Sequence, residues 1–163
     1  MKIVVLGLGN LLLGDEGVGV HAVRKLEQAF PHPEIEYVDG GTRGLLLLPF
    51  MEEATHLLIL DAVYTTDPPG TIVHLKQDDL LAQPPMKFSA HDIALPDLLS
   101  LLRFRKGSAI QDLQLLGIVP DRLDPTVELS PRVAEALETL IQRAQEILKT
   151  WLESSTSQHS AEK

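Results

Sequence analysis

The chain has 163 residues, 44% of them hydrophobic and only 4% aromatic, so one domain with a large aliphatic core is the simplest organisation. Its formal net charge of −9 argues against a nucleic-acid or anionic-membrane surface, both of which need clustered positive charge. The absence of cysteine excludes disulfides, thiolate metal sites and thiol nucleophiles, and suits a reducing cytoplasm.

Taken in chain order, KIVVLG at 2–7 predicts a short buried strand, followed by a glycine-bearing loop at 8–16. The N-terminus faintly mimics a secretory signal, but Gly7, Gly9 and Asn10 interrupt it and two acids follow. An apolar stripe from Val18 to Phe30 predicts a helix, which PHP at 31–33 stops. EIEYV at 34–38 reads as a strand running into the turn DGGTRG. LLLLPFM at 45–51 predicts a short helix interrupted or ended by Pro49. THLLILDA at 55–62 is the clearest strand, ending in Asp61, and TIVHL at 71–75 is a further one. A polar loop then carries His91 and Asp92 into a helix near 93–104, where Arg103, Arg105 and Lys106 read as a solvated helix end. DLQLLGI at 112–118 closes the strands. Ser130-Pro131 pairs a hydroxyl N-cap with proline at the first helical position, and apolar spacing continues to about 153. A single α/β domain over 1–153 and a disordered polar tail over 154–163 follow from this reading.

Alternating strands and helices predict a three-layer α/β fold with a twisted, mainly parallel sheet of about five strands. Ligands of such sheets bind at the carboxyl ends of the strands. Glu16, with Asn10 and Asp15, follows the first strand; Asp39 follows the second; Asp61 ends the third; His91 lies in the loop after the fourth. No segment approaches the roughly 20 apolar residues of a membrane span.

The glycine loop does not fit a nucleotide. Leu12 replaces the third glycine of a dinucleotide fingerprint, and no lysine follows Gly14 as a P-loop requires. Two acids would also occupy the positive helix end that a phosphate uses. Two carboxylates and an imidazole, Glu16, Asp61 and His91, instead suit a divalent transition ion with open positions for water or substrate. Arg43, beside Asp39, reads equally as a substrate contact or an exposed turn residue.

GLGNLLLGDEGVGV, VDGGTRGLLLL, LLILDAV followed by PGT, SAHDIALPDLL, LLGIVPDRLDP and ELSPRVAEAL occur in an order that resembles the nickel–iron hydrogenase maturation endopeptidases, across about residues 2–150. The resemblance implies an endopeptidase that removes the C-terminal extension of the [NiFe] hydrogenase large-subunit precursor once nickel is inserted. It maps the family's metal-contacting Glu, Asp and His onto Glu16, Asp61 and His91, and its second-strand acid onto Asp39, the expected water-orienting carboxylate. The implied metal is nickel supplied by the precursor, with another divalent ion as the alternative. Asp92 stands where the family often has Gln, as an added carboxylate or a helix cap. A non-catalytic, nickel-sensing assembly chaperone of the same precursor is the alternative function.

Overall fold

A computed structural model gives the structure, which describes residues 1–81, 87–88, 95, 99–100, 102 and 109–160. Among these, strands β1 (Ile3–Leu8), β2 (Ile35–Gly41), β3 (His56–Tyr64), β4 (Ile72–Lys76), β5 (Lys87–Phe88) and β6 (Asp112–Ile118) alternate with helices α1 (Val18–Ala29), α2 (Leu48–Glu53), α3 (Gln77–Leu81) and α4 (Pro131–Ser160). Two 3-10 turns, Gly14–Gly17 and Gly44–Leu47, lead into α1 and α2.

The sheet order is β2-β1-β3-β6-β4. β1 pairs in parallel with β2 and β3, and β3 with β6, giving the mainly parallel core that continuous apolar runs predict. β1 is buried along its whole length. On one face, Ile3, Val5, Leu58, Leu60 and Leu116 pack under α1 and α4. On the other, Val4, Leu6, Leu57, Ile59 and Leu115 pack against Leu47 and Met51 of the second 3-10 turn and α2, and against the helical residues Leu95, Leu99 and Leu102.

Four expectations are corrected. The fourth strand is antiparallel to β6, with Ile72 opposite Ile118 and Lys76 opposite Gln114. Its carboxyl end therefore lies at the amino edge of the parallel strands. The chain regains the carboxyl edge through β5, antiparallel to β3 with Phe88 opposite Val63. Asp61 does not terminate its strand either, since β3 continues to Tyr64. Pro49 starts α2 instead of ending it, because a first-turn position needs no backbone N–H.

Finally, α4 runs seven residues beyond the expected end, into the polar stretch assigned to a disordered tail. The hydroxyls of Ser154, Ser155, Thr156 and Ser157 donate to carbonyls three or four residues back, which satisfies them within the helix. Residues 161–163 lie outside the described residues, as do Ser89, Arg103, Arg105 and Lys106.

Candidate active site at the carboxyl edge

The connection β1–α1–β2 lays its helix on one face, and β2–α2–β3 lays its helix on the other while passing over β1. The winding reverses between β1 and β3, and a crevice opens at such a switch point. The first 3-10 turn follows β1 there, and Asp61 stands near the end of β3.

Glycine makes this corner passable. Gly9 has φ 129°, and a Cβ on it would fall 2.0 Å from the Glu16 carbonyl oxygen. Gly19 lies so close to the sheet that a Cβ would fall 2.2 Å from the carbonyl oxygens of both Leu8 and Leu60. Glu16 thus sits one turn ahead of a helix that rests on Leu60, the neighbour of Asp61.

Glu16 is 1% exposed, and its Oε1 has no hydrogen-bond partner among the described residues. Asp61 is equally buried; its Oδ1 accepts from the Ala62 backbone N–H at 2.8 Å. By strand alternation Asp61 shares the face of Ile59 and Val63.

Asp39 is placed differently. It lies opposite Gly7 on β2, and its Oδ2 accepts from Arg24 of α1, with Nε at 2.9 Å and Nη2 at 2.7 Å. The structure therefore holds Asp39 on the α1 face, paired, and does not bring it beside Asp61. Arg43 is exposed before the second 3-10 turn. His91 and Asp92 lie outside the described residues. Among the described residues, no three His, Asp or Glu side chains are grouped to hold a metal ion. The buried, unpartnered oxygen of Glu16 is nonetheless the kind of atom a cation would satisfy.

Sequence reasoning missed the fate of Asp15. This carboxylate is fully buried and accepts four hydrogen bonds: Ser130 N–H and hydroxyl at 2.7 Å, and the backbone N–H of Asp121 and Arg122 at 2.8 Å. The Ser130 hydroxyl, expected as a helix cap, gives its proton to Asp15. Nothing in the local sequence separates Asp15 from Glu16, because its partners lie at least 106 positions away.

At the opposite edge, a cavity of about 450 Å³ is lined by His74, Lys76, Asp112, Gln114, Arg143 and Trp151 among others. It contains none of Glu16, Asp39 or Asp61.

The fold and site define a doubly wound α/β protein with a buried acidic corner at its switch point. The chain belongs to the hydrogenase maturation protease family: the sequence profile of that family (HycI) matches residues 20–147. It is 40% identical to the hydrogenase 2 maturation protease of Escherichia coli over 145 residues, 88% of each chain. Over 153 residues it is 36% identical to the hydrogenase expression/formation protein HupD of Rhodobacter capsulatus, covering 92% of this chain and 72% of that one. Its fold is similar to the hydrogenase maturating endopeptidase HybD from E. coli, with a TM-score of 0.83 and 38% identity over 92% of this chain and 93% of the other. These relatives make the protein an endopeptidase and favour that reading over the chaperone. No helix among the described residues is long and apolar enough to cross a membrane.

Proposed function

We propose that this endopeptidase removes the C-terminal extension of a nickel-loaded [NiFe] hydrogenase large-subunit precursor in the cytoplasm, and that Glu16, Asp61 and His91 engage the nickel that the precursor carries. The observation that supports this reading is the Glu16 carboxylate, 1% exposed with Oε1 unpartnered. Burying a charged oxygen without a partner is costly, and a cation arriving with the substrate would offset that cost. A precursor held by its metal would present one peptide bond to the crevice, so that positioning supplies much of the rate. Water adds to the scissile carbonyl carbon, a site carboxylate takes the water's proton, and the C–N bond breaks as the leaving amine is protonated. Glu16 and Asp61 are better placed for that proton than Asp39, which Arg24 holds on the other face.

Leu12, Leu45, Leu46, Leu123 and Val127 are large apolar residues left exposed, on loops that follow β1, β2 and β6. A rim of this kind around a crevice suits docking of a folded partner.

The test is incubation with nickel-loaded precursor and measurement of its mass. The wild-type chain releases the C-terminal peptide; Glu16→Gln slows release by about a hundredfold or more, the scale of losing one preorganised charged group. Cleavage that survives Glu16→Gln combined with His91→Ala rejects the assignment of those residues. A nickel-free precursor cut equally fast rejects the nickel-sensing role.

A further inference from the structure

We infer that Asp15 is a positioning residue for cleavage, which fixes the direction of Glu16 by fastening the Gly14–Gly17 turn to the 121–130 segment. The inference rests on Glu16 engaging the substrate's nickel.

The turn is not held by its own sequence. It is a single 3-10 turn with no side-chain cap, a conformation that is marginal in isolation. Its geometry comes from elsewhere. The Asp15 carboxylate accepts from Ser130, Asp121 and Arg122, all at 2.7–2.8 Å. Charge-assisted bonds of this kind are the strong ones. Two backbone bonds run the other way, from Asp15 N–H to the Arg122 carbonyl at 2.9 Å and from Gly14 N–H to the Thr126 carbonyl at 2.7 Å.

Glu16 needs that external hold. No hydrogen bond restrains its Oε1, so the side chain takes its aim from the backbone. That backbone is fixed beneath by Gly9, against the Glu16 carbonyl, and beside by Asp15. Releasing Asp15 frees one side of the mount. A misplacement of about 1 Å is enough to cost roughly a hundredfold in rate.

The experiment uses the full chain, nickel-loaded precursor and three variants: Asp15→Asn, Ser130→Ala and Glu16→Gln. Asp15→Asn turns one acceptor oxygen into an N–H₂ facing backbone donors, whereas Ser130→Ala removes one donor of the four. Steady-state rates are measured well below each variant's unfolding transition, and amide hydrogen exchange is followed in the precursor-free protein. Positioning predicts kcat lowered about tenfold or more in Asp15→Asn with KM within about twofold. It also predicts faster exchange confined to residues 13–17 and 121–130, with β1 and β3 still protected. Ser130→Ala shifts both readouts the same way and less; if Asp15→Asn does not fold, it carries the test alone. Retained kcat, a change in KM alone, or faster exchange throughout β1 and β3 overturns the inference. Glu16→Gln separates the two readings: an active Glu16→Gln overturns the site, whereas an inactive one beside an active Asp15→Asn overturns only the positioning role.

Discussion

Asp15 and Glu16 are neighbours, both buried, and only one of them is saturated with hydrogen bonds. The sequence places both at the carboxyl edge of β1, because strand, glycine and helix follow in order. It cannot divide their work, since hydrogen bonds spanning more than a hundred positions leave no local pattern. Asp39 was legible as an edge acid for the same reason, yet the side it faces depends on strand alternation and on Arg24. Its ion pair is half-exposed and is worth about 1 kcal/mol at most. Asp39→Asn is therefore expected to lower kcat less than about tenfold, far short of Glu16→Gln; a loss as large as that of Glu16→Gln would return Asp39 to the attacking water. His21 offers a pH signature. Burial lowers its pKa below the ordinary value, opposed by the Val127 carbonyl that its Nε2 meets at 3.1 Å. The unfolded chain then binds the proton more readily, so stability is full above about pH 6.5 and falls as pH drops towards the folded-state pKa. His56, also lowered by burial, acts with the same sign. Thermal melts of the wild-type chain between pH 7.5 and 5.5 should show a steeper decline than those of His21→Gln.

At the scale of elements, the parallel core could be read because strands buried on both faces leave continuous apolar runs. KIVVLG, THLLILDA and DLQLLGI each appear in the sheet where that rule puts them. The direction of β4 could not be read, for a five-residue edge strand carries the same residues either way up. The end of α4 was missed because serine and threonine favour loops until their hydroxyls find carbonyls inside a helix that packing already extends. The closest joint between elements is Gly19, where α1 rests on the carbonyls of Leu8 and Leu60. Gly19→Ala should lift the helix, cost about 3 kcal/mol in chemical denaturation and abolish cleavage along with it. Denaturation midpoints measured beside cleavage rates check both halves of that expectation.

For the molecule as a whole, the two edges of the sheet differ in kind. The carboxyl edge combines buried acids with exposed leucines, and the amino edge closes over a polar network. There Trp151 Nε1–H donates to Asp112 at 2.8 Å, and Gln114 links Asp112 to His74. If the leucines receive the precursor, Leu45→Ser with Leu46→Ser should raise KM by roughly tenfold, about 1.4 kcal/mol, while kcat stays near wild type. A fall in kcat at constant KM would show that the rim does not bind substrate. The helix α4 joins the two edges: Ser130 fastens its start to Asp15, and Trp151 fastens its last third to β6. This has a consequence for synthesis. A ribosome that has released β1, the first turn and α1 has already delivered Glu16, but residues 121–130 and the helix after them emerge only in the final quarter of the chain. Contacts between such distant stretches form late and slowly. The cutting edge is therefore assembled last, and an unfinished chain carries its acid without the clasp that aims it.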